Sequence, residues 1–263
     1  MVKRDQGNMA EPKPKSSVKT TRTTFRILEE LKNRTQATLT ELADEFELSK
    51  SSIHNYLKTL ESDGYVIKDG NTYRIGLRFL EYGGHARHNE RLYHIAREEV
   101  TKLAEETGEM SNLLTEEQGR GIYLYRSHGE QAVQTDSYTG QRVYLHNTAL
   151  GKSILAHLPQ QRVEEIIERH GLPGTTENTI TNKSELYNEL DQIREDGVAF
   201  DDEARLEGLR CVGVPIINNN DRVEGAISLS GPTSRFQGER FRSEIPKKLK
   251  DAANVIELNI TYT

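Results

Sequence analysis

Residues 38–60 read TLTELADEFELSKSSIHNYLKTL, and the fold turns on how they are read. Thr38 with Glu41 three residues on has the form of a helix-capping box, and Leu39, Leu42, Ala43 and Phe46 follow at i, i+3, i+4 and i+7. That spacing predicts a helix of barely two turns. After the link Glu47-Leu48, Ser49 is placed to cap a further helix whose buried face is Ile53, Leu57 and Leu60, and Asp63-Gly64 stops it.

Upstream, Val18, Phe25, Leu28 and Leu31 recur at helical spacing and predict a first helix with that set turned inward. Downstream, Tyr65-Val66-Ile67 and Thr72-Tyr73-Arg74-Ile75 flank an Asp69-Gly70-Asn71 turn, the pattern of a short β-hairpin. Three helices with a tight turn between the second and third, followed by a hairpin wing, predict a winged helix-turn-helix over residues 18–75. Residues 1–17, polar and carrying Pro12 and Pro14, are expected to be a disordered basic arm.

If the third helix enters a major groove, its outward set is Lys50, Ser51, Ser52, His54, Asn55 and Lys58. Asn55 is suited to a bidentate contact with adenine, the two lysines to phosphates, and Ser51 and Ser52 to either. His54 reads equally as a DNA contact or a plain surface residue. The two caps, Thr38 and Ser49, join the set expected to contact DNA. In the wing, Lys68 and Arg74 are placed for backbone or minor groove, with an acidic neighbour as the alternative partner for Arg74.

A net charge of −6 over 263 residues argues at first against nucleic acid. Cut after Ile75, however, the chain carries +2 before and −8 after. Phosphate neutralisation is local, so a modestly basic module can bind DNA within an acidic protein. The length suggests two domains. The single Cys211 excludes a disulfide framework and a Cys-rich zinc module. No stretch approaches a membrane span and the N-terminus has no apolar core for a signal peptide, so a cytoplasmic protein without membrane contact is expected.

Beyond residue 75 the pattern is mixed. Residues 76–89 predict a linking helix interrupted at Gly83-Gly84, giving a linker over 76–91 and a second domain over 92–263. Leu92, Ile95, Val100, Leu103 and Ala104 mark one buried helical face. Residues 111–115, 121–126, 132–136, 212–217 and 223–230 read as strands, with helices from near Thr148, Pro159, Ser184 and Gly238. Strands and helices in such runs indicate an α+β domain built on an antiparallel sheet.

Three features there bear on chemistry. The run Thr148-Ala149-Leu150-Gly151-Lys152-Ser153 resembles the end of a phosphate-binding loop, but His146 stands where that motif needs its first glycine. It leaves a helix start whose free N–H groups suit a carboxylate, or a small-residue start packed close to a sheet. In the strand near 226–230, Ala226, Ser228 and Ser230 share one face and Ile227 and Leu229 the other, which fits a core on one side and a polar pocket or water on the other. Asp201, Asp202 and Glu203 have no histidine near them in sequence, so no metal is expected, and Cys211 reads as an inert buried thiol. His85, His88 and His94 read as surface residues.

Taken together, the winged-helix run 39–60, Gly76-Leu77-Arg78, the run 145–156, Gly197-Val198-Ala199-Phe200-Asp201-Asp202-Glu203, the run 208–216 and the run 225–232 resemble the IclR family of transcriptional regulators, along residues 18–260. The resemblance implies a GAF-like effector-binding domain and a homodimer or a dimer of dimers. It also implies a pseudo-palindromic double-stranded operator and a small-molecule effector of the organic-acid or sugar-acid type. It implies effector contacts from Ala149, Leu150, Gly151, Asp201, Cys211, Ser228 and Ser230, with no cofactor and no catalysis. Two departures stand out: Glu47 occupies a turn position where many members carry Gly, which points to a different turn geometry, and Leu150 is bulky where many have a small residue. The alternatives are an enzyme with an appended DNA-binding head, using Lys152 or Cys211, or an architectural DNA binder. For the enzyme, no general base lies at a spacing that would activate either residue.

Overall fold

The computed structural model describes residues 18–262, in two compact units, 18–89 and 90–262. The expected arm over residues 1–17 lies outside the described residues.

The first unit runs α1 (Lys19–Arg34), β1 (Ala37–Thr38), α2 (Leu39–Glu45), α3 (Lys50–Ser62), β2 (Val66–Asp69), β3 (Thr72–Ile75) and α4 (Phe79–His88). Its core gathers Ile27, Leu28, Leu31, Leu42, Ile53, Leu57, Val66 and Tyr73. Burying each of the larger side chains contributes about 1.5–3 kcal/mol. The hairpin pairs Val66 with Ile75 and Asp69 with Thr72, and β1 joins it through Ala37 and Tyr73 to make a three-stranded sheet.

Several expectations need correction. Val18 and Phe25, assigned to the buried face of α1, are 69% and 64% exposed, and Ile27 takes the inward position beside Leu28 and Leu31. The linker helix is not interrupted at Gly83-Gly84, since α4 runs through both glycines, and it belongs to the compact unit of the winged helix. The α2–α3 turn does not abandon glycine-like geometry either: Glu47 holds φ at +52°, in the left-handed region.

The second unit contains α5 (Arg91–Thr107), β4 (Met110–Glu117), β5 (Arg120–His128), β6 (Arg142–Val143), α6 (Ala149–His157), α7 (Gln160–His170) and α8 (Lys183–Asp196). It continues with β7 (Ala199–Asp202), β8 (Leu209–Ile217), β9 (Val223–Pro232), a π-helical turn (Arg240–Glu244) and α9 (Ile245–Tyr262). The sheet is antiparallel throughout in the order β6-β5-β4-β9-β8-β7. On one face α5 and α9 pack over Leu113, Val212, Val214, Ile227 and Leu229. On the other, α6, α7 and α8 pack over Leu114, Val143, Ala199 and Ala226. The strand expected over residues 132–136 is absent; that segment is an irregular strap between β5 and β6. The last helix starts later than expected, the π-helical turn preceding it.

Candidate DNA interface and effector cavity

In the first unit, local caps fix the reading helix. Thr38 Oγ accepts from the Glu41 amide at 3.2 Å while Glu41 Oε2 takes the Thr38 N–H at 2.7 Å, so the capping box is complete. Those bonds hold the Glu41 carboxyl below its usual range. Ser49 Oγ accepts from the Ser52 amide at 3.2 Å and lies 2.9 and 2.8 Å from the hydroxyls of Ser51 and Ser52. Thr38 and Ser49 therefore spend their hydroxyls mainly on caps. Lys50, Ser51, His54, Asn55 and Lys58 are exposed along one side of α3, opposite the buried Ile53, Leu57 and Leu60, with Ser52 half-buried. Lys68 and Arg74 are exposed in the wing, Lys68 Nζ lying 5.7 Å from the Tyr73 ring centre and Arg74 donating to the Ile75 carbonyl at 3.4 Å.

In the second unit, sheet register builds a site. One row across four strands pairs Met110 with Ser230, Ser230 with Cys211 and Cys211 with Asp201; the next pairs Arg126 with Asn112, Asn112 with Ser228 and Ser228 with Gly213. The two rows lie two residues apart and so share one face. The start of α6 lies over them: a Cβ on Gly213 would come within 2.8 Å of Ala149 C, so only glycine admits the helix this close. Thr148 caps α6, its Oγ accepting from the Gly151 amide at 3.0 Å. The amides of Ala149 and Leu150 begin the helix, at the positive end of its dipole.

These elements enclose a cavity of about 20 Å³, room for one water molecule. Six of the seven residues expected to contact effector line it: Ala149, Leu150, Asp201, Cys211, Ser228 and Ser230. Gly151 instead backs onto Leu145, whose carbonyl would lie 2.2 Å from an added Cβ. The face bearing Ser228 and Ser230 is thus turned into a pocket and not toward water.

Sequence reading missed the two cations of the site, Arg126 and Arg205. Arg126 donates to Asn112 Oδ1 at 2.9 Å, to Thr135 Oγ at 3.0 Å and to the Ser137 carbonyl. Asn112 in turn donates to Ser228 Oγ at 3.1 Å and Ser230 Oγ at 3.2 Å. Arg205 donates to Ser137 Oγ at 2.9 Å and lies 3.7 Å from Asp136. Burial lowers the Arg126 guanidinium below its ordinary value. Burial also lifts the Asp201 carboxyl to about 6, against the pull of Lys152, the Ala204 amide and Arg205.

Neither candidate nucleophile is activated. Burial, with Asp201 beside it, pushes the Cys211 thiol well above its ordinary range. Lys152 Nζ is held by Glu189 Oε1 at 2.7 Å and the Phe200 carbonyl at 2.6 Å. Among the described residues no group of three or more His, Cys, Asp or Glu is arranged for a metal, and no helix is long and apolar enough to cross a membrane.

A winged helix-turn-helix and a separate α+β unit with a polar cavity define a DNA-binding transcriptional regulator with a ligand-binding domain. Residues 22–70 match the IclR helix-turn-helix domain and residues 84–258 match the C-terminal domain of the bacterial transcriptional regulator IclR, so the chain belongs to the IclR family. It is 36% identical over 260 residues to a probable HTH-type transcriptional regulator, ArcR, of Halobacterium salinarum, covering 97% of this chain and 98% of that protein. It is 32% identical over 252 residues to the HTH-type transcriptional regulator KdgR of Escherichia coli, covering 95% of each. The crystal structure of the Thermotoga maritima IclR superposes with a TM-score of 0.74 at 33% identity, covering 92% of this chain and 99% of that one.

Proposed function

We propose that the protein binds a pseudo-palindromic operator as a homodimer or dimer of dimers, and that a small organic acid or sugar acid in the α6 cavity alters that binding. The observation that carries this reading is the convergence on one cavity of the α6 start, the Ser228–Ser230 face, Asp201 and two arginines. Guanidinium pairs and a helix N-terminus are the groups that recognise carboxylates, and the hydroxyls and amide beside them suit hydroxyl substituents.

In the reading head, Asn55 is the base-reading side chain, with Ser51, Ser52 and His54 beside it, and Lys50, Lys58, Lys68 and Arg74 facing phosphates. Thr38 and Ser49 serve chiefly by fixing the helix starts. Exposed Phe25, Leu77 and Leu80 give this unit apolar surface that a second copy would cover. The effector couples to DNA by about 1–3 kcal/mol. The enzyme reading finds no support in the raised Cys211 thiol or the occupied Lys152 ammonium.

Selection of genomic fragments by the purified protein, with and without metabolite fractions, tests this reading. Enrichment of a two-fold symmetric sequence that a fraction enhances or depletes supports it. Enrichment of no sequence contradicts it.

A further inference from the structure

The strap over residues 129–141 closes the cavity, and its fixings are unevenly distributed. Its ends are tied by main-chain bonds: the Gly129 amide to the Glu109 carbonyl at 2.9 Å, Gln131 to Gly108 at 2.8 Å, and Gly140 to Tyr123 at 2.8 Å. Its centre, from Thr135 to Ser137, is tied to Arg126 and Arg205, the two cations of the cavity itself. An anion that reaches those guanidiniums must compete with the strap for them.

We propose that the strap is a lid latched by its own carboxylate, Asp136, and that the effector is a monocarboxylate which takes the place of Asp136 on Arg205 and releases the strap. This rests on the reading of the cavity as the effector site and adds the ligand's charge and the lid that admits it. Charge count selects one carboxylate. In the closed state the cationic pair Arg126 and Arg205 faces two acids, buried Asp201 and half-exposed Asp136, while Lys152, which also pulls on Asp201, is balanced by Glu189. A monocarboxylate replacing Asp136 preserves that balance. A dicarboxylate leaves one anion in excess where water is scarce, which enclosed sites penalise strongly. Hydroxyls on the ligand then meet Asn112, Ser228 and Ser230.

Cys211 reports on the lid because it lines the cavity and is the only thiol in the chain. Iodoacetamide alkylation of the full chain should run about two- to fivefold faster in Asp136→Asn than in wild type, and Asp136→Glu should restore the slow rate. Equal rates in all three overturn the latch. Calorimetry then compares compounds on matched carbon chains: D-gluconate, D-glucarate and D-glucitol, and D-glycerate, tartronate and glycerol. A monocarboxylate should bind, more tightly to Asp136→Asn than to wild type, and exceed its dicarboxylate and polyol counterparts. A dicarboxylate or polyol binding equally well overturns the proposal, as does failure of both monocarboxylates to bind Asp136→Asn. If a metabolite fraction still raises the melting temperature in that case, the effector cavity stands and only the latch and charge assignment fall. If no fraction does, the reading of the cavity falls as well.

Discussion

The hydroxyl of Tyr65, at the start of the wing, donates to that of Tyr82 in α4 at 2.8 Å, and this pair fastens the linker helix to the reading head. Helix α4 buries no residue of its own, so few contacts hold it. Arg78 adds to the clasp, its guanidinium 4.8 Å from the Tyr65 ring centre and hydrogen-bonded to the Asp63 carbonyl, while the Phe79 ring packs at 5.1 Å.

Tyr82→Phe keeps the ring contact, 5.9 Å between centroids, and removes the hydroxyl bond. The loss is felt by α4, which has few other fixings. Hydrogen exchange of the α4 amides should accelerate several-fold while the amides of α3 keep their protection. Unchanged exchange in α4 would show that the clasp does not hold the helix.

Asn55→Ala and Lys58→Ala should separate base reading from phosphate contact. The first lowers discrimination between operator and random DNA by about 1–3 kcal/mol; the second weakens both alike and reduces the salt slope by about 1. Anisotropy titrations on both DNAs at several salt concentrations make the comparison. Equal losses on the two DNAs for Asn55→Ala sink its base-reading role.

Glu47 sits at φ +52°, where a Cβ is strained by about 1 kcal/mol. Glu47→Gly should therefore stabilise the winged helix by up to that amount, less the flexibility glycine adds to the unfolded chain. Chemical denaturation of the full protein, followed by a probe in the first unit, reads the change. Destabilisation by glycine would mean that the turn is not strained.

The folded Asp201 carboxyl titrates near 6, above its ordinary 3.8, so folding disfavours its ionised form. The cost is absent below about pH 4, grows between about 4 and 6, and is complete above that. Asp201→Asn keeps an oxygen for the Ala204 amide, bonded at 2.8 Å in wild type, and removes the charge. Relative to wild type, it should gain stability as pH rises from about 4 to 7, on the order of 2–3 kcal/mol at the upper end. Melting curves across that range provide the test, and a pH-independent difference would contradict it.

Local chemistry was legible in the sequence and distant register was not. The Thr38–Glu41 box, the Ser49 cap and the Ile53-Leu57-Leu60 stripe each need only neighbours within one turn, and all form as read. The two-residue β1 strand exists only because Ala37 meets Tyr73 across the hairpin. Val18 and Phe25 fit the helical period of α1 yet lie outside its core, which periodicity alone does not reveal. In the cavity, alternation placed Ser228 and Ser230 together, but Arg126 and Arg205 are 79 positions apart and come together only in the folded cavity. An arginine in the half-buried strand around Leu124 was the available signal for Arg126; nothing local distinguishes Arg205.

On the proposed function, one cavity governs DNA binding. Its most direct test is the affinity of wild type and Arg126→Gln for the selected operator, measured by anisotropy with and without the metabolite fraction that stabilises the wild-type protein. A shift of about 5- to 150-fold is expected for wild type and none for the variant. An equal shift in both proteins, or none in wild type, would contradict it.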